Sequence, residues 1–132
     1  MTSDQLSENI KIRSFRDLEI WQEAHSLVVE IYRITKNFPK EEIYGLNSQI
    51  RRSASSVAAC IVEGHSRNTT KEFIKFLYDA RASAAETEYH LLLSKDLNYL
   101  SVEICENFSS RYQILGRRIN ALINSLDKTG HR

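Results

Sequence analysis

Between Cys105 and Leu126 the chain places apolar side chains at Cys105, Phe108, Tyr112, Leu115, Ile119, Leu122 and Leu126, spaced 3, 4, 3, 4, 3, 4. Steps of three and four put successive side chains on one stripe of an α-helix, whereas a strand repeats every second residue. A heptad-type seam of this kind is expected where helices cross at about 20°. One such helix cannot cover its own stripe, so it calls for helical neighbours. Four Gly and one Pro among 132 residues point the same way. So few breakers favour long uninterrupted helices over a loop-rich sandwich or barrel.

Three further segments supply the neighbours. The first runs from about Asp17 to Asn37, with Leu18, Trp21, Val28, Ile31 and Thr35 as its stripe. Pro39 biases Phe38 away from helical geometry and ends it. The second spans roughly Leu46 to His65, with Ile50, Ala54, Val57 and Ile61 spaced 4, 3, 4. Its run Ser53 to Cys60 contains one residue larger than cysteine, so neighbouring backbones can approach closely there. Gly64 weakens or ends this helix. The third opens with a capping-box sequence, Thr69-x-x-Glu72, and carries Phe73, Leu77, Ala80, Ala84 and Leu91 as far as about Lys95. Ser101 is the candidate N-cap for the fourth. Short links join all four, so neighbours should run antiparallel. The expected fold is all-α, an antiparallel up-down four-helix bundle over residues 15–128. A flexible N-terminal tail is expected over 1–14 and a C-terminal tail over 129–132.

The composition fits one domain with a real core. Hydrophobic residues make up 42% and charged residues 27%, and a chain of this length buries roughly two thirds of its unfolded surface. Cys60 and Cys105 fall on apolar stripes and read as small buried hydrophobes, not as a disulfide framework. Residues 1–13 are polar and lack the apolar stretch of a signal peptide. No apolar run approaches the roughly 18 residues of a membrane span. The expectation is a cytoplasmic protein without membrane or small-molecule partners.

Helical bundles often carry di-iron sites, which need Glu-x-x-His on two helices. The residues three before His25, His65, His90 and His131 are Gln22, Val62, Thr87 and Lys128, and none is acidic. Glu86 and His90 lie one turn apart, as a lone metal pair would, but so do ordinary surface helix pairs. No phosphate-binding loop, dinucleotide fingerprint or nucleophile elbow occurs. No His follows an Arg by four to six residues, the spacing of several helical RNases. The chain is therefore expected to be no enzyme, with no catalytic residue, no metal and no cofactor.

Eighteen basic and seventeen acidic residues leave a net charge of +1, so contact with nucleic acid would have to come from local patches. Arg51, Arg52 and Arg67 form one group on or beside the second helix, and Arg111, Arg117 and Arg118 begin another that continues to Lys128 and Arg132. These arginines are the candidate nucleic-acid-binding residues. Cations near a helix C-terminus also complement its dipole, which is the structural alternative. Folding the second and third helices back near Arg67 brings Gln49, Arg52, Ser56 and Glu63 towards Glu86 and Glu88, a candidate structural polar cluster. Solvation of several of these side chains is the other reading of that set.

Several blocks resemble a known family. Phe15-Arg16-Asp17-Leu18-Glu19-Ile20-Trp21-Gln22 with Ala24, and then Phe38-Pro39, Glu42 and Tyr44-Gly45-Leu46, occur in its order. Gln49-Ile50-Arg51-Arg52-Ser53-Ala54, Ser56-Val57 and Ile61-Val62-Glu63-Gly64 follow, with Ser83, Glu86 and Glu88 after them. Together these resemble the four-helix-bundle proteins encoded by intervening sequences of bacterial large-subunit rRNA genes. Cys60 departs from the Asn usual in that family. The family is similar to the accessory protein of diversity-generating retroelements, a strongly basic protein that binds nucleic acid and reverse transcriptase. The resemblance implies a ring-like homo-oligomer, a pentamer, whose fivefold repetition would multiply any charged patch. It implies no established biochemical activity. Two functions follow as expectations. One is a non-enzymatic homo-oligomeric interaction protein that contacts RNA, DNA or a ribonucleoprotein through its arginines. The other is a purely protein-binding scaffold whose arginines form intersubunit salt bridges.

Overall fold

The computed structural model describes residues 14–129. A 3-10 turn over Phe15–Asp17 leads into α1 (Glu19–Thr35), and a second 3-10 turn over Lys40–Glu42 leads into α2 (Leu46–His65). The two longest helices follow, α3 (Thr70–Asp96) and α4 (Val102–Thr129). Four long helices pack as a bundle, and there is no strand among the described residues. The expected tails lie outside the described residues except at their inner ends. Ser14 caps the first 3-10 turn, its backbone N–H donating to Asp17 and its hydroxyl accepting from Arg16 N–H. Thr129 is the last residue of α4.

The core follows the expected stripes in α2 and α3, departs from them at the end of α4, and corrects the one in α1. Ile50, Ala54, Val57 and Ile61 of α2 are fully buried, as are Leu77, Ala80 and Leu91 of α3. On α1 the buried stripe is Ile20, Ala24, Leu27, Ile31 and Thr35, while Leu18, Trp21 and Val28 only flank it. The apolar arc of this helix is wider than one stripe. Trp21 takes its edge, stacked on His25 at 4.8 Å and met by the Phe15 ring at 5.0 Å, a position suited to a large side chain that is seldom wholly covered. In α4 the stripe holds from Cys105 to Ile119 and then moves to Ile123, leaving Leu122 and Leu126 half-buried. A straight helix of 3.6 residues per turn drifts off a seven-residue repeat in this way.

Links and caps rest on specific bonds. Thr69 caps α3 by accepting from Glu72 N–H at 3.2 Å, but its hydroxyl donates to the Glu72 carboxylate, so the reciprocal half of the expected box is not made. Ser101 accepts from Ile104 N–H at the start of α4. Asn98 turns the chain between α3 and α4 with φ of 64°, a left-handed conformation that Asn tolerates. Gly64 does not end α2. It lies buried in the last turn, where a Cβ would come 2.8 Å from Phe76 Cβ and 2.9 Å from Phe73 Cδ1. Its missing side chain lets α3 close on α2.

Hydroxyls, not charges, line the seam between α2 and α3. Thr87 donates to Ser53 at 2.8 Å, and the Ser56 and Ser83 hydroxyls meet at 2.9 Å. On its outer side α3 carries a second stripe, Tyr78, Ala82, Ala85, Tyr89 and Leu92, spaced 4, 3, 4, 3 and exposed throughout.

Candidate nucleic-acid interface

The end of α1 and the start of α2 are tied by two side chains of α2. Asn47 donates from Nδ2 to the Thr35 carbonyl at 3.0 Å. Arg51 donates from Nε to the Thr35 hydroxyl at 2.8 Å and from Nη2 to the Tyr32 carbonyl at 3.3 Å, its guanidinium 4.5 Å above the Tyr32 ring. A cation bonded to the last carbonyls of a helix satisfies orphan acceptors and the dipole together. Arg51 is thus bonded at the C-terminal end of α1.

The link between these helices is pinned from below. Glu42 Oε1 accepts from Leu46 N–H at 3.1 Å, and Glu42 Oε2 accepts from the Tyr99 hydroxyl at 2.8 Å. Gly45 makes room for this carboxylate, since a Cβ there would lie 2.7 Å from Oε1. The chain then crosses over the top with Ile43 half exposed and Tyr44 97% exposed. A cleft of about 840 Å³ results. Tyr32, Lys36, Ile43 and Tyr44 form one part of its lining, and Asn47, Ser48, Arg51 and Arg52 the other. Three cations and two phenol rings face this space without a carboxylate among them. Lys36 and Arg52 are exposed, and neither has an ion-pair partner among the described residues.

The other candidate arginines lie elsewhere. Arg67 follows the far end of α2, its guanidinium 4.7 Å above the Phe76 ring. Arg111 is held between Glu23 at 3.3 Å and Glu30 at 2.9 and 2.6 Å, and hydrogen bonding from Arg111 to Glu30 holds the Glu30 carboxyl below its ordinary range. Arg111 is thus occupied within the chain. Arg117 and Arg118 are exposed on α4, and Arg118 borders a shallow groove with Leu18, Ile20 and Leu122. The six arginines do not gather into one site; Arg51 and Arg52 share the cleft.

The charged cluster expected between α2 and α3 does not form within the chain. Arg52 sits at the level of Glu88 but one residue off the Ser53 seam, about 100° around the helix and facing solvent. Gln49 and Glu63 are exposed. Glu86 lies 3.5 Å from His90 Nε2, and Glu88 accepts from Gln113 of α4 at 3.1 Å. Only Ser56 of the expected set bonds across the seam. Cys105 is buried, its thiol directed at the Leu91 carbonyl. Cys60 is half-buried with Sγ 3.7 Å from the Ser56 hydroxyl, and burial pushes its thiol pKa up. Among the described residues no three His, Cys, Asp or Glu side chains converge as a metal site would need, and no helix is long and apolar enough to cross a membrane.

Periodicity and charge did not point to Lys36, Tyr32 and Tyr44. The signal that could have found them is an aromatic next to glycine in a link, Tyr44-Gly45, with no stripe to belong to.

Comparisons with known proteins accord with this architecture. No curated protein matches the chain in sequence. A solved structure from Bacteroides thetaiotaomicron, a protein of unknown function from the S23 ribosomal protein family, superposes with a TM-score of 0.73 at 25% identity, covering 79% of this chain and 97% of that one. A family model described as 23S rRNA-intervening sequence protein matches residues 16–121. With most of its length matched, the chain belongs to the 23S rRNA-intervening sequence protein family.

Proposed function

We propose that this chain is a non-catalytic interaction module of the cytoplasm, which assembles with copies of itself and binds nucleic acid, RNA above all. The cleft between α1 and α2 carries the reading. It offers exposed Lys36 and Arg52 beside aromatic surface, with no acid in its lining, a combination suited to phosphate and base contacts. An antiparallel up-down arrangement is supported by bonds in which one partner's number falls as the other's rises: 53 with 87 and 56 with 83, then 81 with 120 and 88 with 113. Self-association into a ring, a pentamer as the family resemblance implies, draws support from the uncovered stripe of α3. Exposed apolar residues at helix-pairing intervals are the surface another helix covers. Light scattering tests assembly, and RNA binding across a salt series tests the cleft. An affinity that does not fall with salt removes phosphate contact.

A second reading, a protein-binding scaffold, is favoured by one observation. Arg52 and Glu86 are both exposed and do not pair with each other inside the chain, which leaves them available for intersubunit salt bridges. Arg52→Ala separates the two. In the scaffold it dissociates the oligomer; in the nucleic-acid module it leaves assembly intact and weakens RNA binding.

A further inference from the structure

We infer that the cleft takes a single strand of nucleic acid, with one base stacked on the Tyr44 ring and the adjoining phosphates held by Lys36 and Arg52. The inference rests on the nucleic-acid reading above and names the form of the ligand. Tyr44 is the most exposed large apolar side chain described, at 97%, yet the backbone on either side of it is hydrogen-bonded. Ile43 N–H donates to the Lys40 carbonyl at 3.2 Å, Gly45 N–H to the Glu42 carbonyl at 3.0 Å, and Leu46 N–H to the Glu42 carboxylate at 3.1 Å. A bare ring on a flexible loop would have to be ordered on binding. Here the main chain flanking the ring is already fixed by these bonds, which lowers the ordering cost left for binding.

The form of the ligand follows from what the ring can reach. In a duplex the base faces are covered by their neighbours, and an isolated tyrosine would meet only sugar and phosphate. In a single strand each base offers a face, so stacking is open to it and tolerant of sequence. The cleft is open to solvent, and its volume of about 840 Å³ is on the scale of small-ligand sites, room for about one or two nucleotides. Two free cations match that scale. Arg51 does not add to them, since Thr35 and Tyr32 already hold its guanidinium.

The test is fluorescence anisotropy on the full chain with a labelled ten-nucleotide oligouridylate and with an RNA duplex of equal length. The comparison uses wild type, Tyr44→Ala, Tyr44→Phe and Arg52→Ala. The strand should bind at least tenfold more tightly than the duplex. Tyr44→Ala should lose about tenfold and Tyr44→Phe almost nothing, as loss of stacking requires. The slope of log affinity against log salt should be about −1.4 per site, and about −0.7 for Arg52→Ala. Equal affinity for strand and duplex overturns the inference. So does a Tyr44→Ala protein that binds like wild type while Arg52→Ala is weakened; both outcomes leave phosphate binding in place. Absence of salt-sensitive binding to either probe overturns the nucleic-acid reading and the inference with it. Tyr44 is fully exposed, so its variants should keep the wild-type circular dichroism.

Discussion

Arg111 of α4 and Glu30 of α1 meet through two parallel contacts of 2.9 and 2.6 Å, with Glu23 adding a third at 3.3 Å. α1 and α4 are the first and last of the four long helices, so this fork ties those two helices together.

The fork gives stability a dependence on acid. Glu30 titrates below its ordinary value of 4.5, first because of the hydrogen bond from Arg111. A carboxylate whose folded pKa is depressed contributes fully above the unfolded value, and the contribution fades as the pH falls through the folded one. Glu30 is about one-third exposed, so solvent limits the pair to about 1 kcal/mol or less. Denaturant titration should find Glu30→Gln less stable than wild type at pH 7, with the difference gone at pH 2.

Two glycines should respond in opposite directions. Gly64→Ala drives a Cβ to within 2.8 Å of Phe76 Cβ and 2.9 Å of Phe73 Cδ1. Overpacking of that kind costs about 1–3 kcal/mol. Gly116 lies inside α4, where an added Cβ would meet nothing within 4 Å. Gly116→Ala should therefore gain about 0.5–1 kcal/mol from helix propensity. Thermal unfolding of both variants checks the pair; an unchanged Gly64→Ala midpoint would contradict close packing at the α2–α3 crossing.

Thr87 has its hydroxyl in the seam, where it donates to Ser53 and lies 2.8 Å from the Ser83 carbonyl. Thr87→Val keeps the shape and removes these bonds. A loss of about 1–2 kcal/mol in a denaturant titration is expected, whereas no loss would mean that packing alone holds the seam.

Tyr112 is 1% exposed, and its hydroxyl has no hydrogen-bond partner among the described residues. Burial raises its pKa far above that of a free phenol. An unpaired buried hydroxyl opposes folding, so Tyr112→Phe should raise stability by about 1 kcal/mol. A lower melting temperature would reveal a buried water bonded to that oxygen.

Much of the fold was legible in the order of residues because its signals are local. Leu46 to His65 was delimited by a link before it and a capping sequence after it, and Cys105 to Ile119 by strict periodicity. The core side of α1 was less legible, since Ile20 and Trp21 stand one position apart and helical spacing from Val28 and Ile31 admits either. The arginines were hardest to place. Arg111 finds its partners 88 and 81 positions away, and Arg52 misses the seam by a single residue. The cleft itself draws on the end of one helix, a link and the start of the next, and no periodic pattern marks such a set.

One carboxylate, that of Glu42, grips the first turn of α2 and the phenol of Tyr99 in the α3–α4 turn. The two turns at that pole of the molecule are thereby joined through one side chain, so loosening either removes part of what positions the carboxylate for the other. Deuterium uptake at Leu46 and at Tyr99 should accordingly keep a common tempo, and Glu42→Ala should quicken both.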